Sequence, residues 1–276
     1  MNVRTFRSRG FRTAARWAAT LALALAVAPQ VAAQDAAPAE DAAGDVRPSE
    51  GERGFEPLFG ENAKELWVGY GKDAWPEGWE LEEGGVLHRA GSGGDLRTVK
   101  EFRNFDLRWD WKVSPGGNSG VMYRVVQTDA PSYQSGVEYQ ILDNSTHADG
   151  KNPLTSAASL YAMYAPPKDL TKPVGEWNES RLVVRGNRIR HFLNGEEVVS
   201  AEVGSDDWNE RLAKSKFASW EEFANSRTGH IALQDHGDEV WYRNMRIREG
   251  RRGGGPGRRN QGRERGAQAA DAAPSN

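Results

Sequence analysis

The chain of 276 residues contains no cysteine. Disulfides are therefore excluded, so its domain must be held by a core alone, and thiolates are excluded as metal ligands or nucleophiles. Net charge is also scarce. The 36 basic and 39 acidic residues leave −3, which gives no global field to attract a polyanion such as nucleic acid. Long apolar runs are missing too. The run over residues 17–27 is well short of the roughly 20 residues that a membrane-spanning helix needs.

That short run has another use. It follows an arginine-rich start and precedes Val31, Ala32 and Ala33, a pattern that makes residues 1–33 a cleaved signal peptide and the protein an exported one, periplasmic or extracellular, with no membrane span after cleavage. No paired arginines precede the run, which favours the general secretion route. Residues 34–54 are rich in Ala, Pro, Asp and Glu and hold too few large apolar groups to offset the entropy of ordering, so they read as a disordered linker. Residues 250–276 contain RRGGGPGRRNQGRERG and end in Ala, Pro and Ser, a disordered basic tail.

Residues 55–249 have the size of one all-β domain. Short alternating runs such as FDLRWDWKV, SGVMYRVVQ, GVEYQILD, NESRLVVRG, RIRHFLNG, GHIALQDHG and EVWYRNMRIRE are separated by Gly, Asn, Asp and Pro and read as a meander of antiparallel strands. Asn194-Gly195 marks a hairpin turn. Helical signal is confined to residues 208–226, expected to form one or two short surface helices. Many antiparallel strands without a repeat predict an all-β, two-sheet jelly-roll sandwich with a short helical insertion, and the concave sheet of such a sandwich offers a groove.

Strand alternation identifies what that groove could carry. In GVEYQILD, Glu138 and Gln140 share one face while Val137, Tyr139 and Ile141 share the other; in GHIALQDHG, Gln234 and His236 share a face opposite Ile231, Leu233 and Asp235. Ten tryptophans, with Trp109 and Trp111 on one strand face and Tyr123 and Tyr139 close by, offer flat surfaces on which sugar rings stack. A packing role in the core is the better account for most of Trp109, Trp111, Trp177 and Trp241. Turn chemistry accounts for Asn194. His88, His147, His191 and His230 are taken as surface or packing residues.

Taken singly, Glu138 and His236 could each face solvent. Their occurrence with Gln234 and Asp235 on a strand that ends at Gly237 instead suggests a site, because imidazole titrates near neutral pH and a carboxyl in a dry groove moves toward it. Glu138, Asp143 and His236 are also ligand types that suit several divalent ions, although their spacing shows no tight metal pattern; whether a metal helps stays open, and no cofactor is expected.

The segments FEPLFGENAKELW, GGNSGVMYR, GVEYQILD, GEWNESRLVVRGNRIRHFLNGEEV and GHIALQDHGDEVWYRNMRI, in this order, resemble the 3-keto-disaccharide hydrolase domain family over essentially all of residues 55–249. The resemblance implies a sandwich of the concanavalin A-like lectin/glucanase type, in an exported bacterial enzyme that cleaves glycosides oxidised at sugar carbon 3. It also implies site candidates among the motif residues Asn118, Arg124, Glu138, Gln140, Asp143, Gln234, His236 and Arg243. The segment 200–227 and both tails lie outside the motifs.

A ketone at carbon 3 acidifies the hydrogen on carbon 2. A base can then remove it while an acid protonates the departing oxygen at carbon 1, and water adds back. Glu138 or His236 would be the base and the other the acid, with Arg124 or Arg243 and Gln140 holding the enolate oxygen. A non-catalytic carbohydrate-binding module on the same sandwich is the alternative. An ordinary retaining glucanase would want carboxylates two apart on a strand, and residue 140 is glutamine. The glycoside and the oligomeric state are not legible in the sequence.

Overall fold

The computed structural model describes residues 53–250; the expected signal peptide (1–33) and nearly all of the linker (34–54) and tail (250–276) lie outside them. Thirteen strands run through this part. They are β1 (Glu56–Pro57), β2 (Trp67–Gly69), β3 (Trp79–Glu82), β4 (Val86–Arg89), β5 (Leu96–Thr98), β6 (Phe105–Val113) and β7 (Asn118–Val125). After them come β8 (Val137–Leu142), β9 (Asn178–Arg185), β10 (Arg188–Leu193), β11 (Glu196–Glu202), β12 (His230–Leu233) and β13 (Val240–Glu249).

The strands form two antiparallel sheets. One has the order β11-β10-β9-β6-β13-β4-β3, with β1 added on β13, and the other has the order β2-β5-β12-β7-β8. The architecture is the expected two-sheet jelly-roll sandwich. Consecutive strands pair directly at β3–β4, at β7–β8 and over β9 to β11; between these the chain switches sheets, as from β6 to β7 and from β8 to β9.

The inner faces carry the apolar half of each alternating strand. Leu107, Trp109 and Trp111 of β6, Leu182 and Val184 of β9 and Tyr242 of β13 meet Val121 and Tyr123 of β7, Val137, Tyr139 and Ile141 of β8 and Ile231 and Leu233 of β12, all 2% exposed or less. Burying one such side chain contributes about 1.5–3 kcal/mol, so this seam dominates stability. The buried polar tips find partners within it. Trp111 Nε1 donates to Ser180 Oγ at 2.8 Å, and the Tyr139 hydroxyl lies 2.8 Å from the same oxygen. Tyr123 and Tyr139, offered by the sequence as sugar platforms, are therefore core residues, as are Trp109 and Trp111. Trp177 and Trp241 instead stand half-buried on the outer face of the larger sheet, each 5.0 Å from Lys112 Nζ.

The helical insertion is shorter than the sequence pattern predicts. Helix α1 (Ala63–Leu66) is a single turn, and α2 covers Asp206–Lys214. Ser205 caps α2 by accepting from the Trp208 amide, and Ser215 seals the other end, donating to the Leu212 carbonyl while accepting from the Phe217 amide. Residues 215–226 then run as turns. No helix among the described residues is long and apolar enough to cross a membrane.

Candidate active site

The outer face of the five-stranded sheet forms the floor of a groove of about 280 Å³. Asn118 of β7, Glu138 and Gln140 of β8, and Gln234 and His236 just beyond β12 line it together. The register explains this convergence. β7 lies between β12 and β8, and the outward positions of all three strands face the same side. β12 ends at Leu233, but the Gln234 amide still donates to the Gly120 carbonyl at 2.9 Å, which carries the alternation to His236.

Asp235 points the other way and clamps this run. It ion-pairs with Arg89 at 2.7 Å and accepts from the amides of Gly93 and Gly94 at 2.9 and 2.8 Å. Burial works to raise its pKa, but those amides and Arg89 hold it below the usual value. Arg89 also donates to the Gly237 carbonyl at 2.6 Å, and the Asp235 amide donates to Asp95 at 2.9 Å.

Glu138 is 9% exposed, and no hydrogen-bond donor among the described residues reaches its carboxyl. Burial pushes its pKa up to about 8. Lys216 pulls it down, while Asp95 and Asp149 push it further up. The carboxyl leans over Gly120 of the neighbouring strand, where a Cβ would stand 2.9 Å from Glu138 Cδ. His236 is more open, with 47% of its side chain exposed and Nδ1 3.9 Å from Asp238 Oδ2.

The groove has walls that the sequence pattern did not mark. Residues 156–164 bond irregularly along the free edge of β8: the Ala158 amide donates to the Gln140 carbonyl at 2.8 Å, the Gln140 amide to Ser159 at 3.2 Å, and the Tyr161 amide to Glu138 at 3.1 Å. Ala158 and Ala162 have φ of 64° and 59°, left-handed conformations that no periodicity announces. Tyr161 thereby lines the groove, and its hydroxyl donates to Asp149 at 3.1 Å. Lys216, Phe217 and Phe223 of the insertion, with Tyr133, form the opposite wall. His147 also belongs here, because its ring centre is 6.3 Å from that of His236 and its Nε2 is 3.5 Å from Asn118 Nδ2. Its Nδ1 accepts from the Asp149 amide at 3.1 Å. Of these additions only Gly120 carried a signal, as a glycine inside a strand pattern, which marks close approach.

Three expected site residues lie elsewhere. Arg124 has φ of 59° at a bulge, where β7 places two residues opposite one of β12 between the pairs Ala232–Met122 and His230–Val125. The bulge breaks the alternation, and the guanidinium turns away to donate to the Gly186 carbonyl, in the β9–β10 turn of the other sheet, at 2.5 Å. Arg243 stands on the outer face of the larger sheet, 4.2 Å from the Trp177 ring and 3.2 Å from Asp110. Asp143 braces a turn. One oxygen accepts from the amide and hydroxyl of Ser145 at 2.9 and 2.6 Å, and the other accepts from the Gly116 amide at 2.8 Å. Asp143 is absent from the lining, so the suggested metal trio with Glu138 and His236 is not assembled. Among the described residues no group of three or more acidic or histidine side chains could hold a metal ion. His191 is buried in the core, as expected of a packing residue, with Nε2 3.0 Å from the Tyr123 hydroxyl and Nδ1 3.1 Å from the Ala158 carbonyl.

A sandwich whose polar groove holds a carboxyl, an imidazole and three amides has the lining of a binding site for a polar, hydroxyl-rich ligand. Residues 54–248 match the 3-keto-α-glucoside-1,2-lyase-like domain, and the chain belongs to that family. It is 35% identical over 226 residues to a 3-keto-disaccharide hydrolase of Bacteroides thetaiotaomicron, a match that covers 71% of this chain and 78% of the relative. Two inferred glycosyl hydrolases of Parabacteroides distasonis share the fold. The first is 33% identical with a TM-score of 0.67, over 74% of this chain and 98% of its own; the second is 27% identical with a TM-score of 0.57, over 71% and 98%.

Proposed function

We propose that this enzyme is exported and cleaves glycosides of 3-keto sugars, 3-keto-disaccharides among them, by elimination across carbons 1 and 2 followed by addition of water. The observation that carries this reading is the Glu138 carboxyl, buried in the groove without a donor and pushed up to about pKa 8, on the same wall as an accessible imidazole. At neutral pH such a carboxyl keeps its proton and can deliver it to the leaving oxygen of carbon 1. His236 then serves as the base that takes the hydrogen from carbon 2, with its Nδ1 3.9 Å from Asp238 Oδ2. Removal of the proton forms the enolate of the carbon 3 ketone. Its electron pair re-forms the ketone as the carbon 1–oxygen bond breaks, leaving a double bond between carbons 1 and 2. Water adds at carbon 1 and carbon 2 regains a proton, so hydrolysis is the net change.

The polar remainder of the lining suits a sugar. Asn118 Oδ1 is buried without a protein partner and is open to a hydroxyl donor, while Gln140 and Gln234 bring further amides. The test is incubation of the purified protein with a 3-keto disaccharide and with its unoxidised parent in deuterated water. Cleavage of the oxidised sugar alone, with deuterium at carbon 2 of the product, is expected. Cleavage of the parent, or a product without the label, would overturn the reading.

A further inference from the structure

The elimination just described places negative charge on the oxygen of carbon 3 twice, once when carbon 2 loses its proton and again when water adds at carbon 1. A fixed positive charge in a groove partly closed to water adds to what amide donors give an enolate. The arginines that the motifs offered for this task are not available: Arg124 reaches the Gly186 carbonyl and Arg243 lies on the other sheet.

The groove nevertheless contains a cation. Lys216 follows α2 in a segment outside every motif, and it lines the same groove as Glu138 and His236. Its ammonium stands 4.4 Å from the centre of the Tyr161 ring, 5.4 Å from that of Phe217 and 6.0 Å from that of Trp220. Such rings hold a cation in place without neutralising it. Lys216 makes no ion pair with a carboxylate among the described residues. Its charge is therefore positioned and uncancelled in the lining of the groove that the sugar would fill. The same charge is felt by the Glu138 carboxyl, which places the two groups within one electrostatic neighbourhood.

We propose that the Lys216 ammonium is the catalytic group that stabilises the carbon 3 oxyanion, so that the insertion completes a site whose other members lie on the sheet. The proposal rests on the 3-keto reading of the groove. In the first step the carbon 2–hydrogen bond breaks, the proton passes to the base, and the electron pair becomes the enolate whose oxygen Lys216 faces. Lys216 itself neither gains nor loses a proton.

The test compares the full chain with its Lys216→Met and Lys216→Arg variants in two assays. One is cleavage of a 3-keto disaccharide. The other is exchange of the carbon 2 hydrogen for deuterium in 1,5-anhydro-3-ketoglucitol, which has no leaving group at carbon 1 and so reports enolate formation alone. Lys216→Met should slow both at least about 10-fold, in line with the loss of one preorganised oxyanion partner. Lys216→Arg, which keeps the charge, should retain more of each rate. Lys216 is exposed, so melting temperatures should agree across the series. If the parent enzyme cleaves and the Met variant exchanges at the parent rate, this inference falls alone. Loss of cleavage without loss of exchange overturns it equally. A parent enzyme inert toward both substrates overturns the 3-keto reading and takes this inference with it.

Discussion

Glu138 occupies the space that a side chain on Gly120 would need: a Cβ there would lie 2.9 Å from Glu138 Cδ and 3.0 Å from Cγ. The two residues sit on adjacent strands, where Gly120 pairs with Gln140 and Met122 with Glu138. The bare backbone at 120 is what lets the carboxyl lie flat on the sheet floor.

Gly120→Ala should therefore displace the carboxyl without unfolding the sandwich. Overpacking of this kind typically costs about 1–3 kcal/mol. Turnover on a 3-keto glycoside should fall at least about 10-fold, because a small misplacement of an acid is expensive. Equal turnover in the variant and the parent would show that the carboxyl need not lie there.

Glu138 should leave two marks on pH dependence. Turnover should decline as pH rises through about 8, where the carboxyl loses its proton, and Glu138→Gln should lower turnover by about 10²-fold or more. Stability follows the same shift. The folded pKa is raised, so below the unfolded value near 4.5 both states are protonated and the contribution is complete; it is lost as pH rises from there to about 8, at no more than about 1.4 kcal/mol per pH unit. Thermal melts of Glu138→Gln should lack that decline.

Asp143 should behave in the opposite sense. Burial works to raise its pKa, but hydrogen bonds from Ser145, Gly116 and Thr146 hold it at about 2. Its contribution is present above the unfolded value near 3.8 and should be lost as pH falls toward 2. Asp143→Ala should cost about 1–3 kcal/mol, since the donors lose a charged acceptor, while turnover of the folded protein stays within a few-fold of the parent. Denaturant titration and steady-state kinetics separate the two effects.

His191→Phe should unseat the site from a distance. The ring is fully buried, and burial lowers its pKa to about 4, so it is neutral at working pH and bridges Tyr123 to the Ala158 carbonyl. A phenyl ring leaves both partners unpaired, and about 2–4 kcal/mol of stability should be lost. Loosening of residues 156–164 should appear as faster hydrogen exchange there and a higher KM.

Much of the sandwich was legible because half-buried strands write their environment as alternation. β6 and β13 coincide with the runs FDLRWDWKV and EVWYRNMRIRE apart from one end residue of the latter. The same rule placed Glu138, Gln140, Gln234 and His236 on one surface. Arg124, which the family motif offered, lies elsewhere because the left-handed residue at the bulge breaks the alternation there. The rule could not place Arg243, because alternation says which face of a strand is polar but not to which sheet the strand belongs. Tyr161, Lys216 and His147 come from loops, whose positions are set by long-range contacts and leave no period in the chain.

Residues 156–164 also have a duty apart from catalysis. β8 is the last strand of its sheet, and an edge of that kind presents free amides and carbonyls on which a second molecule could dock strand to strand. By bonding to Glu138 and Gln140, the segment occupies those groups. Shortening it to admit a bulkier sugar would thus strip the sheet of its guard, and the expected penalty is a tendency of the molecules to stick together, not a weaker catalyst alone.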